Sequence, residues 1–218
     1  MAIIKIALLT EHMMFHHIRH APLPHKIVYG ISLFIFAMGA MIMAEAFSIK
    51  AKAALAQLLL ERAWAETQSH SSLKSPVKPW PWADISPHLE LHHPRLGKKM
   101  IALSGVSGEA LAFGPGVLAS ENSAMTQGLT VISGHRDTHF SFLKYVQLGD
   151  DIIITTAEGE SFTYQIEETR IVPYDASGLS PRGAKAQIAL VTCWPFTEKR
   201  QGPLRFVAIA SLKETSAL

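Results

Sequence analysis

The chain has 218 residues, 48% of them hydrophobic and 17% charged, enough for one compact domain with extra sequence before it and too few for two large ones. A formal net charge of +2, spread over dispersed basic residues, excludes a surface built to neutralise phosphates, so no nucleic-acid partner is expected. The single cysteine, Cys193, excludes an intrachain disulfide and a Cys-rich zinc site, leaving its thiol as a small core hydrophobe, a reactive group or a link between chains.

Residues 1–26 form an N-terminal segment ahead of an uncharged run from Ile27 to Ala44. With Glu45 to Ile49 this run approaches the roughly 20 residues that cross a bilayer, which predicts a transmembrane helix over 27–49. A cleaved signal peptide competes with that reading, but the apolar stretch is long for one and the helical pattern continues past it. Flanking charge does not orient the span, because Arg19 and Lys26 precede it while Lys50, Lys52 and Arg62 follow. From Lys50 to Glu66 the Ala/Leu/Gln/Glu composition favours helix, and Thr67 to Lys78, with its serines and Pro76, reads as a linker. Residues 50–79 are therefore a juxtamembrane helix and linker, and 80–213 a separate domain.

That domain reads as mainly β, with short β-rich runs punctuated by Gly, Pro, Asn and Asp as in a barrel or sandwich. Strands are expected at His88 to His92, Lys99 to Leu103, Leu129 to Ser133, Asp151 to Thr156, Ser161 to Val172, Gln187 to Thr192 and Leu204 to Leu212. Ala157 to Glu160 supplies a hairpin turn, Gly114-Pro115-Gly116 another turn, and Phe140 to Val146 a turn or two of helix.

The apolar run Gln187 to Val191 ends at Thr192-Cys193-Trp194, and Pro195 breaks the ladder, so Cys193 sits at a strand terminus where a side chain can reach a groove. An unperturbed thiol titrates near 8.5, so nucleophilic work requires a base or a positive charge beside it. Of eleven histidines, five precede the span and His70 is in the linker, while His88, His92 and His93 open the domain and read as structural. His135 leaves the strand Leu129 to Ser133 through Gly134, the same strand-end setting as Cys193. His139 follows four residues later, but a metal pair is disfavoured because no third ligand is suggested and Gly134 argues against one helix holding both. Arg205 opens the last strand, beside Cys193 if the two strands pair as a hairpin. Alone, it would read as a solvated surface charge.

In this order the residues resemble the sortases, whose pattern is a histidine after one strand, Thr-Leu-x-Thr-Cys ending a later one, and an arginine on the next. Leu190, Thr192 and Cys193 match that motif, and Ala189 departs from it where threonine is usual. The fragments Lys78 to Asp84, Gly108 to Gly116, Gly134 to Phe140, and Cys193 to Phe196 with Gly202 to Arg205 are similar to the single-span sortases of Gram-negative bacteria.

The resemblance implies an eight-stranded β-barrel after an N-terminal transmembrane helix, with Cys193 as nucleophile, His135 as proton-transfer partner and Arg205 stabilising the oxyanion. Thr192 and Trp194 become candidates for substrate binding, although Trp80, Trp82 and Trp194 also suit packing. The implied partners are a secreted protein with a C-terminal sorting signal, an amine acceptor and the inner membrane, with the catalytic domain periplasmic and residues 1–26 cytoplasmic. No cofactor or metal is expected, and the separated Asp150, Asp151 and Glu158 do not suggest a calcium site. The rivals are a membrane-tethered cysteine peptidase, a cell-wall L,D-transpeptidase, whose Ser/Thr-His-Gly-Cys motif is missing here, and an inactive barrel used as a peptide-binding scaffold.

Overall fold

The structure is a computed structural model that describes residues 24–69, 77–118, 127–180, 185–198, 200 and 202–213. One helix, α1, covers His25–Ser69. Its first part is the uncharged run, long and apolar enough to cross a membrane, and no residue of that window is buried. Beyond Lys50 the helix is amphipathic: Ala56, Leu60, Ala63, Trp64 and Thr67 recur at helical spacing and are buried. Leu60 packs with Ala83, Ile85, Leu103 and Ala110, against Trp80 and Phe113, and Gln57 Nε2 donates to Phe113 O at 2.7 Å. The segment expected to be a stalk is thus docked on the domain it precedes. Most of the expected linker, residues 70–76, lies outside the described residues.

Eight strands form a closed barrel: β1 Pro87–His93, β2 Lys98–Ser104, β3 Gly116–Leu118, β4 Leu129–Ser133, β5 Asp151–Thr156, β6 Ser161–Pro173, β7 Gln187–Trp194 and β8 Leu204–Leu212. Their order around the barrel is β1-β2-β3-β4-β7-β8-β6-β5, with β5 closing on β1. The expected eight-stranded architecture is present. Between β2 and β3 lies a short helix, α2, at Gly108–Phe113, where Ser107 Oγ accepts from the Ala110 N–H. Neither α2 nor β3 figured in the sequence reading. A three-residue strand is too short to show alternation, and Gly116 disguised it as a turn: a Cβ there would stand 2.2 Å from Gly105 O, so only glycine lets β3 lie beside β2.

Alternation explains most of the core. In β5, Ile152, Ile154 and Thr156 face inward; in β1, Pro87, Leu89, Leu91 and His93 do. Phe140, Phe142 and Leu143, at and just before the 3-10 turn Ser141–Tyr145, complete the main cluster. Strand β7 has no alternation because both of its faces are covered. Ile188 and Leu190 point into the barrel, while Ala189 and Val191 pack outside it with Leu129, Val207, Ile209 and Leu179.

Leu60 is 1% exposed on the docked face of α1. Leu60→Ala should therefore lower unfolding free energy by about 2–5 kcal/mol, measured by chemical denaturation of the full chain in detergent. A change within error would mean the docking contributes nothing to barrel stability.

Candidate active site

Strands β4 and β7 pair in parallel from Leu129↔Gln187 to Ser133↔Val191. The next residues continue the alignment: Gly134 N–H donates to Val191 O at 3.1 Å, and Thr192 Oγ1 donates to Gly134 O at 2.7 Å. His135 and Cys193 therefore leave neighbouring strands at the same level. On the other side β7 pairs antiparallel with β8, and Cys193 lies directly opposite Arg205. Opposed residues share a face, with Cβ atoms about 5 Å apart. Cys193, His135 and Arg205 line one cavity of about 150 Å³, together with Leu111, Ser133, Gly134 and Thr192.

The period of two sorts the residues around the thiol. Thr192 points inward and is 2% exposed, with its hydroxyl already donated to Gly134, while half-buried Cys193 points outward to the cavity. Trp194 turns away again. It packs against Phe196 and Phe206, at centroid distances of 5.4 and 6.2 Å, and does not line the cavity. Of the two residues expected to bind substrate, Thr192 is at the cavity with its hydroxyl in use, and Trp194 belongs to an aromatic cluster behind it. Trp80 packs edge-on against Phe113, and Trp82 is exposed. Ala189, the departure from the motif, is wholly buried in the outer apolar cluster.

His135 is held by its backbone. Residues 136–140 form a turn closed by Phe140 N–H to His135 O at 2.9 Å, so His135 and His139 share no helical face. Phe140 is fully buried under Gly134, where an added Cβ would lie 2.9 Å from the ring. Glycine is thus needed for this close packing at the residue before His135. His139 lies instead beside a larger cavity of about 600 Å³, which Thr138, Glu61 and Trp64 also line and which contains no thiol. Burial and the neighbouring His135 push the His139 imidazole down.

Arg205 is braced on three sides. Its Nη1 donates to Gly202 O and Leu204 O at 2.8 and 2.9 Å, and its Cζ lies 5.7 Å from the Tyr174 ring centroid. Among the described residues these are its contacts, and the hydrogen bonds use Nη1 and not Nη2. Sequence reasoning missed Tyr174, whose placement follows from the β6–β8 pairing, and Arg136, whose side chain reaches the β7–β8 connection.

Residues 91–213, more than half of the chain, match the sortase domain. The chain belongs to the sortase family. Sortase D of Bacillus subtilis (strain 168) is 30% identical over 118 residues, which cover 54% of this chain and 59% of that protein, so the match spans under two thirds of the relative. Sortase A from Corynebacterium diphtheriae superposes with a TM-score of 0.55 at 25% identity, covering 62% of this chain and 64% of its own. A Clostridium perfringens sortase D5 transpeptidase superposes with a TM-score of 0.60 over 74% of this chain and 99% of its own, and at 18% identity it speaks for the fold alone. Cys193 is the one cysteine of the chain.

The inward register of β1 also explains His93. Its side chain is fully buried, edge-on to Phe142 at 5.7 Å, with Nε2 3.2 Å from Asp150 Oδ2. Arg95 Nη2 donates to the same carboxylate oxygen at 2.6 Å, and Gln147 N–H at 2.7 Å. Burial pushes the His93 imidazole down despite Asp150, so the folded sortase holds it neutral. A depressed imidazole contributes its full stability above its unfolded value of about 6.5 and loses it as pH falls through the folded value. The Arg95 guanidinium holds Asp150 below the usual carboxylate range, a contribution complete above about 3.9 and lost only in stronger acid. Lowering pH from about 7.5 to about 5 should therefore lower the Tm, and His93→Gln should flatten that slope. Equal slopes in circular dichroism melts would remove His93 as the cause.

Proposed function

We propose that this sortase is a single-span enzyme of the Gram-negative type, held in the inner membrane by residues 27–49 with its catalytic barrel, 80–213, in the periplasm. It cleaves the C-terminal sorting signal of a secreted protein and joins the new carboxyl end to an amine acceptor. The observation that carries this reading is the meeting of Cys193, His135 and Arg205 at one cavity on the outer face of β4, β7 and β8.

In the first step the Cys193 thiolate attacks the scissile carbonyl carbon of the sorting peptide. The carbonyl oxygen takes up negative charge, and Arg205 Nη2 donates to it; bracing of Nη1 pre-sets the guanidinium, so little reorganisation is needed as charge develops. The C–N bond then breaks, and His135 as imidazolium protonates the departing amine, leaving a thioester on Sγ. In the second step the acceptor amine attacks the thioester carbonyl, neutral His135 takes its proton, and the C–S bond breaks to release the thiolate. Water in place of the amine gives hydrolysis, the peptidase outcome. A span in the same bilayer as a membrane-held substrate raises their effective concentration.

Cys193→Ala should abolish cleavage of a sorting peptide while leaving the Tm within a few degrees, because the half-buried thiol fills no core space. Arg205→Lys should lower kcat/KM by about 100-fold, since one ammonium cannot both brace on the Gly202 and Leu204 carbonyls and serve the oxyanion. Both are read by a fluorescence-quenched peptide assay with mass spectrometry of the thioester. Near-normal turnover by Arg205→Lys would contradict the oxyanion role.

A further inference from the structure

The loop that follows His135 carries a buried cation that the proposed chemistry does not use. Arg136 is only 8% exposed, and its guanidinium donates from Nη1 to Pro195 O at 2.9 Å and from Nη2 to Arg200 O at 2.6 Å. Pro195 lies two residues past the thiol, and Arg200 belongs to the same connection, which leads on to Arg205. One planar fork therefore reaches from the residue beside His135 to the chain that joins Cys193 to Arg205.

Among the described residues, Arg136 is what hydrogen-bonds segment 195–200 to the rest of the barrel; the other bond there, Glu198 N–H to Pro195 O at 3.3 Å, is internal to the segment. Burying a guanidinium against neutral carbonyls alone is an expensive way to stabilise a fold, because two uncharged acceptors return only part of its lost hydration. What the arrangement does supply is geometry. Two diverging donors on one rigid plane fix two points of a connection at once, which a single ammonium cannot do.

We propose that Arg136 is a positioning residue, a two-point clamp that holds the β7–β8 connection to the His135 loop and so sets the imidazole against the thiol. The clamp rests on the reading of Cys193 and His135 as a reacting pair. The β4–β7 hydrogen bonds align the two residues at the backbone, but they end at Gly134 and Thr192, one residue short of each. Beyond that level Phe140 N–H closes the His135 turn upon itself, and Arg136 ties it across to the connection that leaves the strand carrying sulfur.

The test needs no knowledge of the natural substrate. The rate of Cys193 alkylation by iodoacetamide is followed against pH in the full chain in detergent, for wild type, His135→Ala, Arg136→Lys and Arg136→Gln, with a melt of each. The clamp predicts folded Arg136 variants whose profiles move toward that of His135→Ala, Arg136→Lys moving less than Arg136→Gln because it keeps one of the two bonds. Hydrogen exchange of the 196–200 amides should accelerate by about tenfold or more in the same variants. If His135→Ala shifts the profile while both Arg136 variants overlay wild type, the clamp is wrong and the pair survives. If His135→Ala itself overlays wild type, the pair falls and the clamp with it. An Arg136 variant that no longer folds also counts against the proposal, since Arg136 would then be a support of the barrel.

Discussion

Parallel pairing of β4 with β7 is the constraint on which the rest of this sortase depends. The two strands are joined through a crossover that contains the 3-10 turn, β5 and β6, so their contact is a non-local one. Their register is held by apolar residues on both faces, Ile132 with Ile188 and Leu190 inside, Val131 with Ala189 and Val191 outside. His135 and Cys193 each lie two residues beyond the last pair, Ser133↔Val191. A slip of one residue would turn sulfur into the barrel and expose Thr192 in its place.

Side-chain alternation then divides the labour between adjacent residues. Cys193 faces the cavity because its neighbours Thr192 and Trp194 do not; Thr192 ties the two strands from within, and Trp194 anchors the aromatic cluster with Phe196 and Phe206. The same alternation brings Arg205 to the outer face opposite sulfur and sends Phe206 inward. Two of the polar groups that the pattern drives inside have partners, Asp150 for His93 and Gly134 O for Thr192, whereas the buried Thr156 hydroxyl has none among the described residues. The polar interior is therefore concentrated at strand ends, where the chain leaves the ladder and backbone groups remain to be satisfied.

Helix α1 has two parts of different character. Up to Lys50 its apolar residues point in every direction and are unburied; from Ala56 to Thr67 the buried residues form one stripe that packs on α2, β2 and the start of the barrel domain. Leu111 of α2 lines the cavity that Cys193, His135 and Arg205 share, and Gln57 of α1 caps the carbonyl of Phe113 at the end of α2. The amphipathic half of α1 is in this way part of the support behind one wall of the site.

Residues near one another in sequence carried most of what could be read in advance. Seven of the strands, the hairpin turn at Ala157 to Glu160 and the apolar span were legible because each depends on a local period or composition, and the strand-end positions of His135, Cys193 and Arg205 were legible because each stands at the end of such an element. The short β3, the docking of α1, the aromatic neighbours of Trp194 and the two-carbonyl grip of Arg136 were not, because each is defined by partners tens of residues away. Composition and periodicity alone determined that this protein has an apolar span followed by a β domain with a thiol at a strand end. Which strands adjoin, and hence that sulfur, imidazole and guanidinium open onto one cavity, was decided by tertiary structure, because strand pairing is a non-local choice settled by burying both faces of β7 at once.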